Sequence, residues 1–136
     1  MIYLKQEDYD GIVAYAKDGL PAEACGLLGG MVDGEDKRVG KVYYLTNLDA
    51  SNEHFSMDTK EQLDALKDMR KNGFQMIGNW HSHPESPSRP SEEDKRLAFD
   101  SRIRYLILSL ENMDEPVLNA FAIVNGEVSK EEIVIL

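Results

Sequence analysis

Phe74-Gln75-Met76-Ile77-Gly78-Asn79-Trp80-His81-Ser82-His83-Pro84-Glu85-Ser86-Pro87-Ser88-Arg89-Pro90-Ser91-Glu92-Glu93-Asp94 is the stretch on which the reading of this chain turns. Phe74 to Trp80 reads as a strand, and His81 and His83 continue it. Side chains alternate across a strand, so both imidazoles leave on the same face. Pro84 stops the pairing because it has no N–H to donate. Prolines 84, 87 and 90 fix φ at three points and stiffen the loop that follows. Ser91 reads as a helix N-cap, with Glu92, Glu93 and Asp94 in the first turn, where the helix dipole favours negative charge. Two histidines at a strand end and a carboxylate on the next helix bring three nitrogen and oxygen donors around one point. Zn²⁺ takes such a set with a fourth position left for water, the arrangement of a catalytic and not a structural site.

The rest of the chain supplies a frame for this segment. Residues 2–5 read as a short strand, and Gln6 to Asp18 as a helix with Tyr9, Ile12, Val13 and Ala16 on one face. Gly11 weakens that helix; Gly19 at C′ and Pro21 end it. Ala22 to Val32 reads as a buried strand with Glu23 near its start. A turn at 33–36 leads to a return strand, Val39 to Thr46. Asn47 to Asn52 is polar loop, and His54 to Met57 reads as a short strand. Asp58 with Glu61 has the spacing of a capping box. Leu63, Leu66 and Met69 form the apolar face of a second helix that stops at Gly73. A third helix runs from Glu92 to Phe99. Tyr105 to Leu110 and Val117 to Val124 are strands, and Asn125-Gly126 turns Glu127 to Ile135 back onto the latter. The order β-α-β-β-(β)-α-β-α-β-β-β predicts an α/β fold, a mixed sheet flanked by helices. Sites in such sheets lie at strand ends, where the histidines fall.

At 136 residues the chain reads as one domain, 1–136, with no linker or repeat. A net charge of −10 argues against nucleic acid, which needs stripes of Lys and Arg, and against an anionic membrane surface. No signal peptide or spanning run is visible. The single cysteine, Cys25, excludes an internal disulfide and any CxxC site, so a reducing cytoplasm is the simplest home. Cys25 itself reads as a small buried hydrophobe, mid-strand and away from any helix N-terminus that would activate it. His54 reads as a loop or strand-edge residue and Trp80 as packing. Ser91 and Asp94 have cap spacing, which does not conflict with roles at a metal. Glu23, at the mouth of an apolar strand, suits a partly desolvated base for a nearby water.

These residues resemble the signature of the JAMM (MPN+) metalloprotease family: an upstream glutamate, then H-[S/T]-H-P-x6-S-x2-D. Here it is Glu23, His81-Ser82-His83-Pro84, six residues, Ser91, two residues and Asp94. Pro21 to Gly30 is similar to the family's glutamate strand, and Asn52 to Leu66 to the region before its second helix. The resemblance implies a cytidine deaminase-like fold and Zn²⁺ held by His81, His83 and Asp94. It implies Glu23 as general base and then acid, and Ser91 as oxyanion donor. It further implies hydrolysis of a peptide or isopeptide bond, often after the Gly-Gly tail of a ubiquitin-like protein. The short chain is most similar to stand-alone prokaryotic members, some of which trim sulfur-carrier proteins. Three other classes remain open. A metal-free scaffold of the same fold should lack a ligand, and none is lacking here. A zinc deaminase needs P-C-x-x-C, which one cysteine cannot supply. A peptidoglycan or phage-tail peptidase usually carries a second catalytic domain.

Overall fold

The computed structural model describes residues 1–98 and 100–136. Its elements are β1 (Ile2–Leu4), α1 (Gln6–Asp18), β2 (Cys25–Asp33), β3 (Asp36–Leu45), α2 (Thr59–Lys71), β4 (Gln75–His83), α3 (Glu92–Leu97), β5 (Arg104–Ser109), β6 (Val117–Val124), β7 (Glu127–Glu131) and β8 (Ile133–Ile135). They form the expected mixed sheet with helices. The strand order is β7-β6-β5-β4-β2-β3-β1-β8. β4 lies centrally, antiparallel to β2 and parallel to β5.

Strand alternation sorts the apolar residues into two faces. Ile12 and Ala16 of α1 pack with Ile2, Leu4, Leu28, Val39, Trp80, Leu106 and Leu108 on one face. Ala65 and Met69 of α2 cover Cys25, Leu27, Tyr43 and Leu45 on the other. Beside the latter, Ile107, Phe121 and Ile123 form a third cluster that Ala98, just past α3, completes. Gly26 is required where the two faces meet at β2. A Cβ there would strike the Tyr43 carbonyl and the Trp80 indole.

Several expectations are corrected. The segment after the Asn125-Gly126 turn is two strands, not one. It pairs with β6 only through Glu131, and Ile133–Ile135 then pairs in parallel with β1. Edge strands β7 and β8 are thus one residue apart in sequence, so the sheet curls until its edges meet. The Glu131 carboxylate pins the junction, accepting from Arg104 of β5 and from the Met1 ammonium. The segment His54 to Met57 forms no strand; a single bridge joins Met57 to Asn47. β2 begins at Cys25, which leaves Glu23 just outside it. Asp58 caps α2 alone, because Glu61 turns away to accept from the Thr46 N–H and hydroxyl. Leu63 and Leu66 are exposed, and Ala65 with Met69 is the buried pair. Gly19 is itself the C-cap of α1, at a right-handed φ of −85°. α3 ends at Leu97; Phe99, where its end was expected, lies outside the described residues.

Candidate metal centre

β4 ends on His81 and His83, both buried on the face that α2 covers. Their Nε2 atoms are 3.1 Å apart, and each lies 3.2 Å from Asp94 Oδ2. Zinc bonds of about 2.0–2.1 Å in a tetrahedron imply donor separations of roughly 3.3 Å, so this triangle approximates one face of such a site. The first turn of α3 holds the carboxylate in place. Asp94 N–H donates to Ser91 Oγ at 3.0 Å, and Ser91 N–H donates to Asp94 Oδ2 at 2.9 Å. This reciprocal cap is the one expected from the spacing.

The proline loop fixes the second histidine. His83 Nδ1 donates to the Pro87 carbonyl at 2.9 Å, so the neutral ring carries its proton there and turns a bare Nε2 inward. Two imidazole lone pairs and a carboxylate oxygen aimed at one point repel unless a cation lies between them. A proton can take that role where no metal does. Burial disfavours charge on His83, but Asp94 and the Pro87 carbonyl outweigh it and raise its pKa. Burial also acts against ionised Asp94, yet His81, His83 and the Ser91 N–H hold it well below the usual carboxylate range. A divalent metal would satisfy the same three donors, so the residues fit one. His81 Nδ1 is buried without a partner among the described residues. The Phe55 ring stacks on this imidazole, centroids 4.8 Å apart at 27°.

Glu23 reaches the site through its backbone. Its N–H donates to the Ser51 carbonyl at 2.7 Å, and its carbonyl accepts from Asn47 Nδ2 at 3.0 Å. Ala24 is tied to the histidine strand by two bonds. Its N–H donates to Ser82 Oγ at 2.8 Å, and its carbonyl accepts from Ser82 N–H at 2.9 Å. Glu23 is only 6% exposed. Burial pushes its pKa up to about 8; His83 opposes the rise, and Asp94, Glu93 and Glu53 add to it. Glu23, His83 and Ser91 line one cleft of about 360 Å³, with Asn52, Glu53 and Glu85. On the other side of His81 and Asp94 lies an apolar pocket of about 60 Å³, walled by Phe55, Leu97, Tyr105 and Ile107.

The structure therefore brings His81, His83 and Asp94 together, with Glu23 and Ser91 on the cleft beside them. It adds residues that the sequence did not single out. Ser82 had a signal: between two histidines on one face, it must point to the other face, and there its Oγ accepts from the Ala24 N–H. Asn47 and Phe55 had none, since their partners are 24 and 26 residues distant. His54 is an exposed loop residue but not an unpartnered one, because its Nδ1 meets Glu93 Oε2 at 2.6 Å. Cys25 is fully buried and its thiol is pushed up to about 12, chiefly by burial, so it is no nucleophile. Trp80 is buried on the opposite face, donating to the Tyr43 carbonyl at 3.3 Å.

The family described as Prok-JAB, prokaryotic homologs of the JAB domain, matches residues 5–124. The chain belongs to this family. Among its relatives, the CysO-cysteine peptidase of Mycobacterium tuberculosis is 28% identical over 133 residues, covering 98% of this chain and 90% of that protein. The desampylase of Haloferax volcanii is 32% identical over 105 residues, 74% of each. Protein DSY2949 from Desulfitobacterium hafniense, solved in solution, superimposes on this JAB-domain chain with a TM-score of 0.92 at 55% identity. That match covers 100% of this chain and 93% of DSY2949. AF2198, a JAB1/MPN domain protein from Archaeoglobus fulgidus, shares the fold at a TM-score of 0.59 and 21% identity, covering 99% and 97%. Among the described residues no helix is long and apolar enough to cross a membrane.

Proposed function

We propose that this JAB-domain chain is a zinc-dependent peptidase of one domain, residues 1–136, working in the cytoplasm. Its substrate is a small ubiquitin-like carrier protein, cut directly after a C-terminal Gly-Gly. The observation that carries this reading is the single cleft shared by Glu23, His83 and Ser91, next to the converging donors of His81, His83 and Asp94. The names of two relatives, a CysO-cysteine peptidase and a desampylase, support a protein-tail substrate.

His81 and His83 through Nε2, and Asp94 through Oδ2, would hold the metal. Zn²⁺ bound there supplies a Lewis acid that polarises a carbonyl and lowers the pKa of water to about 7. Glu23 takes the proton from the attacking water and later delivers it to the leaving amine. Burial lifts the Glu23 carboxyl above the usual carboxylate range, and a divalent cation beside it would oppose that rise, which leaves a carboxylate able to take a proton and return it. Ser91 uses an oxygen lone pair to cap Asp94, so its O–H remains free to donate to the developing oxyanion. An extended Gly-Gly tail presents backbone without side chains to a cleft of this size.

The test combines metal analysis with mass spectrometry. Wild-type protein should hold one zinc per chain, and His83→Ala should lose it. Glu23→Gln should keep zinc yet cut a Gly-Gly-extended carrier several orders of magnitude more slowly. Zinc lost from Glu23→Gln would reassign that residue as a ligand. Cleavage of peptidoglycan fragments but of no carrier would keep the hydrolase and discard the substrate.

A further inference from the structure

The two histidines of the centre are not held alike. His83 donates through Nδ1 to the Pro87 carbonyl at 2.9 Å. His81 Nδ1 has no such acceptor: it is the buried side-chain atom left without a hydrogen bond among the described residues. His81 is 3% exposed, and the Phe55 ring stacks on it. Its Nε2 faces His83 and Asp94, so with a metal there the single proton of the neutral imidazole must sit on Nδ1. A buried N–H then needs an acceptor.

The pocket of about 60 Å³ beside His81 holds a candidate. Its wall is mostly apolar, with Asn79, Asp94 and the Tyr105 hydroxyl as the other polar groups. Asp94 Oδ2 is taken up by the imidazoles and the Ser91 N–H, and Tyr105 Oη donates to the Asp100 carbonyl at 3.1 Å. Asn79 is half-buried and stands two residues before His81 on β4, so alternation puts both side chains on one face. Their register partners on β2, Leu27 and Cys25, both lie in the cluster under α2, in agreement with a shared face. Residues so spaced are about 6.6 Å apart along a strand. One water making two hydrogen bonds of about 2.9 Å bridges such a gap, and the pocket has room for it.

We propose that Asn79 is the positioning residue for His81. Through one water in the pocket, its amide oxygen accepts the His81 Nδ1–H, which fixes the tautomer that turns a bare Nε2 to the metal. The inference rests on the metal reading of His81, His83 and Asp94, and adds to it a residue that does not itself bind the ion. An amide does this without bringing a third carboxylate to a centre that already has Asp94 and Glu23.

The experiment measures zinc affinity at one fixed pH, by competition with a chromophoric chelator, for full-length wild type, Asn79→Leu and Asn79→Asp. Long-range ¹H–¹⁵N spectra of the ¹⁵N-labelled, zinc-loaded chains read the His81 tautomer. Wild type should show His81 protonated at Nδ1. Asn79→Leu nearly keeps the volume and removes the acceptor; it should bind zinc about tenfold or more weakly, with a His81 Nδ1–H that exchanges faster with water. Asn79→Asp keeps an acceptor of the same shape and should hold zinc at least as tightly as wild type. Equal affinity in wild type and Asn79→Leu, equal weakening in both variants, or a His81 protonated at Nε2 would overturn the proposal while leaving the metal site in place. A wild-type chain that binds no zinc would overturn the metal reading and this inference with it.

Discussion

Asp94 Oδ2 illustrates how much one atom carries here. It accepts from the Ser91 N–H, so it finishes a helix, and it faces both imidazoles, so it completes a ligand set. Ser91 is equally divided: its oxygen caps Asp94, and the residue lines the cleft beside Glu23 and His83. The two roles separate on mutation. Ser91→Ala should cost about 1 kcal/mol of stability through the lost cap. It should also slow turnover by a factor of about 10²–10³, corresponding to about 3 kcal/mol at the oxyanion. Ser91→Thr should restore most of the stability and little of the rate, because the extra methyl redirects the hydroxyl. Urea denaturation and single-turnover cleavage, run on the same samples, resolve the two effects. A destabilised but fully active Ser91→Ala would leave the serine only a cap.

At the scale of elements, α2 shows where hydrophobic counting fails. Leu63, Leu66 and Met69 make the most apolar arc of its sequence, yet the side against the sheet is Glu61, Ala65, Asp68 and Met69. Two carboxylates on that side do binding work: Glu61 accepts from Thr46, and Asp68 from Tyr43 Oη at 2.6 Å and Lys41 Nζ at 2.7 Å. Ala65 lets the helix approach closely. Ala65→Leu should therefore overpack the interface and cost about 1–3 kcal/mol, while Leu66→Gln should stay within about 0.5 kcal/mol of wild type. Denaturant midpoints at unchanged m-value check both; a larger loss from Leu66→Gln would reverse the assignment of faces. The same contrast explains what was legible in the sequence. Alternation placed His81 and His83 together, and the Ser91–Asp94 spacing placed the third donor, because both rules are local. The loop that grips Glu23 through Asn47 and Ser51 was not legible, since those bonds join segments more than 20 residues apart. Nor was the split at Glu132, which exists only because a curled sheet brings β1 beside the chain's last strand.

For the whole molecule, the burial of Glu23 and the crowding at the metal centre become a pH dependence of stability. The carboxyl of Glu23 titrates near 4.5 when unfolded and at about 8 when folded. Below the lower value both states are protonated and nothing is lost. Between the two, only the folded chain keeps the proton, so stability falls as pH rises, by up to about 1.4 kcal/mol per unit. His83, also raised, acts in the same direction. Asp94 acts in the opposite one: its depressed pKa gives stability above about 4 that is lost on acidification. The metal-free chain should thus be most stable in weak acid and decline toward pH 8. Glu23→Gln, which cannot ionise, should flatten most of that decline. Zinc should invert it, because the metal competes with the proton on His83 and binds more tightly as pH rises. Its stabilisation grows with the ratio of free metal to Kd, so the melting temperature of the loaded protein should increase over the range where that of the chelated protein decreases. Thermal unfolding from pH 4.5 to 8.5, with chelator and with zinc, for wild type and Glu23→Gln, supplies four curves. Parallel curves for chelated wild type and Glu23→Gln would mean that the Glu23 carboxyl is solvated in solution and does not carry the proton assigned to it.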